Sequence, residues 1–317
     1  MKLSVVIPVY NGAATVPTLV AGLIDELATL YTLEIVLVND ASPADDSAQV
    51  CERLARHDPR IHFLDLARNF GQENATMAGF NACTGDVVVT LDDDLQNPPS
   101  EVVKLVDKLL EGYDVVYSCF ARKHHPPLRN LGSRFNGYVA SLVWGKPRGL
   151  YLSSFRAVTR FVVDELVKYT GPYPYVDGLI LRFTRNYAAV VVEHRPRPVG
   201  HSGYNLRKLL AVWLNMFTNF SVLPLRIASV LGMVFAVLGL GGACFFVVDR
   251  LRHPEAPLGW ASLIVSLFIL SGVQLFAIGM VGEYLGRLFL KDNGNPQFVV
   301  RRSIRAAPPA AETRSTR

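Results

Sequence analysis

Two long stretches without a charged residue, 227–248 and 256–282, are the features that most constrain how this chain can fold. Each exceeds the roughly 18 apolar residues that separate a membrane-spanning helix from a buried core helix. Of all residues, 50% are hydrophobic and 19% are charged, whereas soluble domains carry about 25% charged residues. The sequence therefore predicts two transmembrane helices and excludes a disordered chain or a purely soluble one.

The linker between these stretches, 249–255, is too short to hold a domain, so the two helices are predicted to form a hairpin. Lys and Arg number seven on the outer flanks, counted over about twenty residues on each side, and two in the linker. Because positive residues favour the cytoplasmic side, we expect a multi-pass protein of the inner (cytoplasmic) membrane whose preceding domain is cytosolic. The basic tail is expected to meet anionic lipid rather than nucleic acid, since no nucleic-acid-binding motif is present.

The first 120 residues alternate short apolar runs with helical patterns. Runs rich in Val, Ile and Leu are typical of buried strands, and apolar residues three or four positions apart indicate helices between them. This alternation predicts an α/β unit with a mainly parallel sheet. The predicted strands are 3–9, 34–39, 61–66, 86–91 and 114–118.

Polar clusters follow the first four predicted strands: residues 10–11, 39–42, 68–71 and 92–94. In open α/β sheets, ligands bind beyond the carboxyl ends of the strands. The last cluster consists of Asp92, Asp93 and Asp94, whose charges repel one another unless a cation neutralises them. A hard divalent ion that also binds a diphosphate would do so, whereas a solvated acidic turn is the alternative; the position at the sheet edge favours the ion.

Five segments of the chain carry a recognisable pattern: residues 4–11, 38–42, 68–71, 77–80 and 90–98. Together they resemble family 2 glycosyltransferases with a GT-A fold. The predicted membrane hairpin, with the sequence Gly-Glu-Tyr-Leu-Gly-Arg at 282–287, is similar to the branch of that family that acts on polyprenyl phosphates. The resemblance runs from about residue 2 to 302, and the last fifteen residues are interpreted as a disordered tail.

The resemblance implies inverting transfer of a sugar from a nucleotide diphosphate sugar to a polyprenyl phosphate, expected to be undecaprenyl phosphate, at the cytoplasmic membrane face. It places Asp40 on the base or ribose, Asp92 near the diphosphate, and Mg²⁺ or Mn²⁺ on Asp94, with Asp92 as the second metal ligand. The implied substrate-binding residues are Pro8, Tyr10, Asn11, Asp40, Arg68, Asn69, Asp92, Asp93, Gln96 and Tyr204.

The segment 195–204 resembles the acceptor-binding segment of the family through Arg197, Gly200, Ser202 and Tyr204. An arginine and a hydroxyl suit a phosphate, so Arg197, Ser202 and Arg156 join Asp94 as the predicted catalytic residues. The expected organisation is a nucleotide-sugar-binding half at 1–120, an acceptor half at 121–205, an interfacial helix at 206–225, two transmembrane helices at 226–290 and a basic tail at 291–317. Residues 128–144 form either a second interfacial helix or an ordinary packing helix.

The sequence departs from the family pattern at three places. Gly12 stands where many relatives have a Glu that contacts the nucleotide, and Gly203 replaces a Lys. The Asp often proposed as the acceptor base aligns with Leu150 or Ser154, neither of which is a carboxylate. A phosphate dianion needs no base, so we expect transfer without one; the competing hypothesis gives that role to Asp177.

Two other functions remain open at this point. A catalytically inactive relative would bind nucleotide sugar or lipid as a scaffold, and a processive polysaccharide synthase would carry a Gln-x-x-Arg-Trp motif, which this sequence lacks. The small residues Gly282 and Gly286 offer a helix-packing face that is compatible with a homo-oligomer.

Overall fold

The computed structural model describes residues 1–120, 150–195, 223–252, 259–292 and 295–306. The chain divides into two compact units, Met1–Gly203 with Asn295–Arg317, and Tyr204–Gly294. Residues 128–144 and 206–222, where interfacial helices are predicted, lie outside the described residues. The end of the predicted interfacial segment, from Leu223 onward, belongs instead to the first long helix of the second unit.

The first unit is built on an eight-stranded mixed sheet in the order β7-β5-β6-β4-β1-β2-β3-β8. Strand β1 is parallel to both neighbours, β2 and β4, and β2 is parallel to β3. The antiparallel pairs are β4 with β6, β5 with β6, and β3 with β8, whereas β5 and β7 are parallel. The strands are β1 Lys2–Val9, β2 Thr32–Asn39, β3 Ile61–Leu66, β4 Val87–Thr90, β5 Val115–Phe120, β6 Arg156–Thr159, β7 Tyr187–Val192 and β8 Val300–Arg305.

Helices cover both faces of this sheet because its central strands are apolar on both sides. Val5 and Ile7 of β1 pack in one core with apolar residues of α1 and α4. On the opposite face α3 approaches β1 closely, since a Cβ on Gly79 would lie 2.2 Å from Val6 Cγ1. The helices are α1 Val16–Leu27, α2 Ser47–His57, α3 Gln72–Ala82, α4 Glu101–Leu110, α5 Arg160–Leu166 and α6 Val176–Phe183.

The connection pattern marks the end of β1 as the expected position of a ligand. Strand β2 follows β1 on one side, and β4 pairs with β1 on the other, so the chain reverses its direction of travel across the sheet at β1. Ligands of open α/β sheets bind at such a switch point, beyond the carboxyl ends of the strands. The loops after β1, β2, β3 and β4 all lie at this edge because the four strands are parallel.

The second unit contains two long helices, α7 Leu223–Arg252 and α8 Trp260–Asp292. Among the described residues, one window, Ile269–Gly286 in α8, is long and apolar enough to cross a membrane, and none of it is buried. A shorter apolar stretch, Ala228–Gly239, lies in α7. The two helices of the predicted hairpin are therefore present, and the crossing of a membrane by α7 and α8 stays a prediction.

The basic tail contains structure that its composition does not indicate. Val300–Arg305 forms strand β8, which pairs antiparallel with β3 at the sheet edge, so the disordered tail cannot begin at Ser303. Arg302 pairs with the buried Asp65, and Arg305 with the buried Glu34. A buried carboxylate is costly unless it is paired with a cation. The arginines of β8 supply such cations, which explains why this basic, polar segment forms a strand of the sheet.

Candidate active site

The loop between β1 and α1, residues 10–15, is held by its first four amide groups, which donate to side chains. Tyr10 N donates to Asp93 Oδ2 at 3.0 Å and Asn11 N to Ser42 Oγ at 2.9 Å. The next two amides bond to α2 and the loop before it: Gly12 N to Ser47 Oγ and Ala13 N to Asp45 Oδ2, both at 2.9 Å. The loop is thus fixed by residues that follow β2 and β4.

Asp40, at the end of β2, is committed to the loop that begins α3. Its two carboxylate oxygens accept the amides of Phe70 at 2.7 Å and Gly71 at 2.8 Å, and it is buried. Burial raises the pKa of Asp40, while the two backbone bonds act against that rise. In the same loop the Arg68 guanidinium lies 4.4 Å from the centre of the Phe70 ring. Asp40 therefore positions the segment that carries Arg68 and Asn69; its nucleotide contact stays a prediction.

The three aspartates after β4 have different surroundings. Asp92 accepts hydrogen bonds from Gln72 Nε2 at 2.7 Å and from Ser154 Oγ at 2.6 Å, which joins it to α3 and to the segment before β6. Asp94 Oδ1 accepts the amide of Gln96 at 3.1 Å. Burial, together with repulsion from its two neighbours, raises the pKa of Asp93 to about 6. Negative charge is therefore concentrated at this edge of the sheet.

Asp93 explains the glycine at position 12. A Cβ built on Gly12 would lie 2.3 Å from Asp93 Oδ2 and 3.1 Å from its Cγ, closer than real contacts allow. The carboxylate of Asp93 thus occupies the space that a side chain of residue 12 would need. Glycine at position 12 is therefore needed because Asp93 fills the adjacent space. Where the family pattern has a Glu side chain at position 12, this chain has the carboxylate of Asp93 from the loop after β4.

The donor set suits a divalent cation that also has ligands outside the protein. Among the residues that the structure describes, no three His, Cys, Asp or Glu side chains converge to hold a metal ion. Asp92 and Asp94 offer carboxylate oxygens on alternate residues of one loop. Mg²⁺ is commonly bound by one or two carboxylates plus substrate phosphates, so the residues present fit such an ion.

A buried charged cluster lies behind Asp92, and sequence reasoning found only part of it. Arg156, in β6, forms an ion pair with Asp177 of α6, and both side chains are almost fully buried. Glu73, in the first turn of α3, accepts the amide of Val176 at 3.0 Å. The pKa of Glu73 is raised to about 7, chiefly by burial and also by the charge of Asp177, while Arg156 opposes the rise. No local signal marks Glu73, because its neighbours are about 100 residues away in the chain.

This cluster changes the role expected for Arg156. The sequence prediction places it on the acceptor phosphate, but its guanidinium is buried against Asp177. Of the two positions aligned with the family's base, Leu150 is buried and Ser154 donates to Asp92. Asp177, the competing base, is occupied by Arg156. The described residues thus show no exposed carboxylate at the positions considered for a base.

The predicted acceptor segment begins beside the acidic loop. Gln96 and Arg195 exchange hydrogen bonds, from Arg195 N to Gln96 O at 2.8 Å and from Gln96 Nε2 to Arg195 O at 3.3 Å.

The remaining predicted site residues lie elsewhere. Pro8, in β1, lies beside Val38 in β2, one residue before the strand ends. Arg197, Ser202 and Tyr204 lie outside the described residues, so their roles stay predictions.

Comparisons with known proteins identify the relatives of this chain. Residues 4–167 match the model of glycosyl transferase family 2, and residues 223–288 match the GtrB C-terminal hairpin. The undecaprenyl-phosphate 4-deoxy-4-formamido-L-arabinose transferase of Klebsiella pneumoniae (strain 342) is 33% identical over 98% of this chain and 96% of its own length. The transferase of the same name from Pseudomonas aeruginosa (strain LESB58) is 36% identical over 97% and 91%.

A solved structure confirms the fold. Glucosyl-3-phosphoglycerate synthase from Mycobacterium tuberculosis, crystallised with Mn²⁺, uridine diphosphate and phosphoglyceric acid, superposes with a TM-score of 0.52 at 19% identity, over 68% of this chain and 76% of that one. This similarity supports the assignment of the sheet and its helices to the GT-A fold. The chain therefore belongs to glycosyl transferase family 2, and it is a glycosyltransferase with a GT-A catalytic fold and a C-terminal hairpin.

Proposed function

We propose that this enzyme transfers a sugar from a nucleotide diphosphate sugar to undecaprenyl phosphate, with inversion at the anomeric carbon, at the cytoplasmic face of the inner membrane. The observation that carries the proposal is the acidic loop at the switch point of the sheet, where Asp92 and Asp94 follow β4 and lie beside the β1–α1 loop. Relatives that are 33% and 36% identical over nearly their whole length bear names that specify undecaprenyl phosphate.

Asp92 and Asp94 would hold Mg²⁺ or Mn²⁺ next to the diphosphate of the donor. When bound, the ion supplies Lewis-acid stabilisation of the charge that grows on the leaving diphosphate. Gln72 and Ser154 orient Asp92 through its two oxygens. The β1–α1 loop and the segment carrying Arg68 and Asn69 would contact the nucleotide.

The acceptor phosphate would be held by Arg197 and Ser202. A phosphate monoester has a second pKa of about 6, so at neutral pH it is largely a dianion and already a nucleophile. The protein's task is then to place that oxygen in line with the anomeric carbon, which lowers the barrier by positioning. Arg156 would act indirectly: its ion pair with Asp177 would hold the N-terminal end of α6 in place.

The hairpin would anchor this reaction at the membrane. Its predicted orientation puts both flanks of the hairpin, and so the catalytic domain, in the cytosol. Nucleotide sugars would then reach the site from the cytosol, and the lipid phosphate from the bilayer. A homo-oligomer that packs through Gly282 and Gly286 is compatible with this arrangement.

The test is a donor panel with the purified full-length enzyme in detergent and undecaprenyl phosphate as acceptor. Each assay contains Mg²⁺ or Mn²⁺ and one of four donors: UDP-glucose, UDP-N-acetylglucosamine, GDP-mannose or UDP-4-deoxy-4-formamido-L-arabinose. The lipid is then extracted, and its mass is measured by mass spectrometry. We expect one donor to give a glycosylated lipid phosphate. A panel in which no lipid product forms, while the enzyme remains folded, would overturn the proposed transfer.

Asp94→Asn tests the metal assignment within the same assay. The change is nearly isosteric and removes a charge, so it is expected to abolish transfer, as is a chelator. Asp107→Asn is the matched control because Asp107 lies on the exposed face of α4. Full activity of Asp94→Asn, or of the wild type in chelator, would show that the metal assignment is wrong while leaving the acceptor assignment intact.

A further inference from the structure

Three polar side chains lie in register across the edge of the sheet. Asn39 of β2 is paired with Asp65 of β3, and Asp65 with Arg302 of β8. Asn39 and Asp65 are both buried, whereas Arg302 is half exposed. A polar ladder within an apolar sheet carries a desolvation cost, so each member must be hydrogen bonded.

The hydrogen bonds of this ladder continue to the β1–α1 loop. Arg302 Nη2 donates to Asp65 Oδ2 at 2.9 Å, and Asn39 Nδ2 donates to Asp65 Oδ1 at 2.8 Å. Ser42 Oγ donates to Asn39 Oδ1 at 2.7 Å and accepts the amide of Asn11 at 2.9 Å. An unbroken chain of four hydrogen bonds thus joins β8 to the loop after β1.

The direction of every bond in this chain follows from Asp65. An ionised carboxylate can only accept, so Asn39 must turn its amide nitrogen toward Asp65 and its oxygen toward Ser42. The Ser42 hydroxyl must then donate to Asn39, which leaves its lone pairs for the amide of Asn11. Asn11 itself has a φ of 56°, a left-handed conformation that needs such support.

We propose that Asp65 and Arg302 are positioning residues for donor binding: through Asn39 and Ser42 they fix the β1–α1 loop in the conformation that receives the nucleotide. This inference rests on the proposed function, since that function makes the loop a donor-binding element. It also gives β8, which follows the hairpin in the sequence, a role at the site.

Loss of the Arg302 cation acts on the loop through Asp65. The Asp65 carboxylate would then be buried with Asn39 as its one remaining side-chain partner among those described. Movement of that carboxylate would relieve the cost and let the side-chain amide of Asn39 rotate. Ser42 would lose its defined acceptor, and the Asn11 amide its fixed partner.

The experiment measures binding of UDP and of GDP by the full-length enzyme in detergent with Mg²⁺, using calorimetry. For the nucleotide that the wild type binds, Arg302→Met is expected to weaken binding about threefold to tenfold, the scale of one lost hydrogen-bonded contact. In the transfer assay the KM for the donor should rise similarly, with kcat and the KM for undecaprenyl phosphate within about twofold, because the loop binds ground state and transition state alike. Arg302→Lys, which keeps the cation, should restore most of the affinity.

Two matched controls isolate the route. Arg305→Met removes a cation from the same strand, but its partner Glu34 bonds to Ser4, Thr84 and Lys2, away from the loop. Glu52→Gln weakens the other contact of Arg302, at 2.9 Å on α2, and leaves Asp65 paired. Both controls should bind the nucleotide as the wild type does.

Ser42→Ala keeps the inference testable if Arg302→Met does not fold, because it removes the last link without touching the sheet. It should weaken nucleotide binding to a similar extent, and adding it to Arg302→Met should have little further effect, since both act on one chain. Equal nucleotide affinity for Arg302→Met and Arg305→Met, or wild-type affinity for Ser42→Ala, would overturn the inference. A wild-type enzyme that binds neither nucleotide and transfers no sugar would instead overturn the proposed function on which it rests.

Discussion

Gly12→Ala is the substitution whose effect can be worked out most directly from the structure. The new Cβ would lie 2.3 Å from Asp93 Oδ2 and 3.3 Å from Val16 Cγ2. The optimum between non-bonded carbon atoms is about 3.5 to 4.0 Å. The carboxylate must therefore move, and its hydrogen bond from the Tyr10 amide, 3.0 Å long, must break or bend.

The size of the effect is set by the cheaper of two responses. If Asp93 yields by only a small displacement and keeps its hydrogen bond, overpacking costs about 1 to 3 kcal/mol. If it rotates away, the lost hydrogen bond to a charged group costs about 1.5 to 3 kcal/mol. Replacing Gly with Ala also restricts the unfolded chain, which stabilises the folded state by about 0.4 to 1 kcal/mol. This gain applies at Gly12 because its backbone is not left-handed. We expect a net loss of about 1 to 2 kcal/mol in the free energy of unfolding.

The assay is thermal unfolding of the full-length enzyme in detergent for four proteins: wild type, Gly12→Ala, Asp93→Ala and the double variant. Gly12→Ala should lower the melting temperature in the wild-type background and leave it unchanged, or raise it slightly, in the Asp93→Ala background. Such dependence is the signature of two groups in direct contact. Equal effects of Gly12→Ala in both backgrounds would refute the proposed pairing.

Three further predictions follow from the site and the hairpin. Because the pKa of Glu73 is raised to about 7, the folded state binds a proton that the unfolded chain has released; stability should fall as pH rises from about 4.5 to 7, by at most about 3 kcal/mol, and Glu73→Gln should flatten this slope in melting curves at pH 5.5 and 7.5. Arg197→Ala should slow transfer severely and weaken saturation by undecaprenyl phosphate, which initial rates at varied acceptor would reveal; unchanged saturation would remove Arg197 from the acceptor site. A reporter fused after Arg317 should read as cytoplasmic and one inserted at His253 as external, and the reverse pattern would contradict the orientation of the hairpin.

The strands that the sequence predicts well are those buried on both faces. Strand β3 matches its predicted bounds, Ile61–Leu66, and β1 and β2 begin one and two residues earlier than predicted. These runs are mostly apolar, so hydropathy marks them even though Ser4, Glu34 and Asp65 lie within them. Strand β8 is different: it is an exposed edge strand with three arginines, and it is held by acids on β2 and β3 that are more than 200 residues away.

The residues of the candidate site also differ in how well the sequence predicts them. The loops that carry Tyr10, Asp40, Arg68 and the three aspartates could be predicted, because parallel strands bring their carboxyl ends to one edge. The partners of these side chains could not be predicted, since Ser154 reaches Asp92 from the segment before β6, far along the chain. The departure at Gly12 looked like a lost contact in the sequence, and it became intelligible once Asp93 was found in the same space.

The surroundings of the possible bases favour transfer that uses the acceptor's own charge. A general base must reach the proton that it removes and must have a free oxygen to receive it. Asp177 is buried in an ion pair with Arg156, and releasing it would leave a buried guanidinium without its carboxylate, a change that typically costs about 3 to 5 kcal/mol. A lipid phosphate with a second pKa of about 6 has no proton to remove at neutral pH. Evolution of this site could therefore exchange the family's Asp for Leu150 or Ser154 without loss of the reaction, provided that cationic groups hold the phosphate in line. By the same reasoning, the acid limb of the pH profile for transfer should follow the acceptor phosphate.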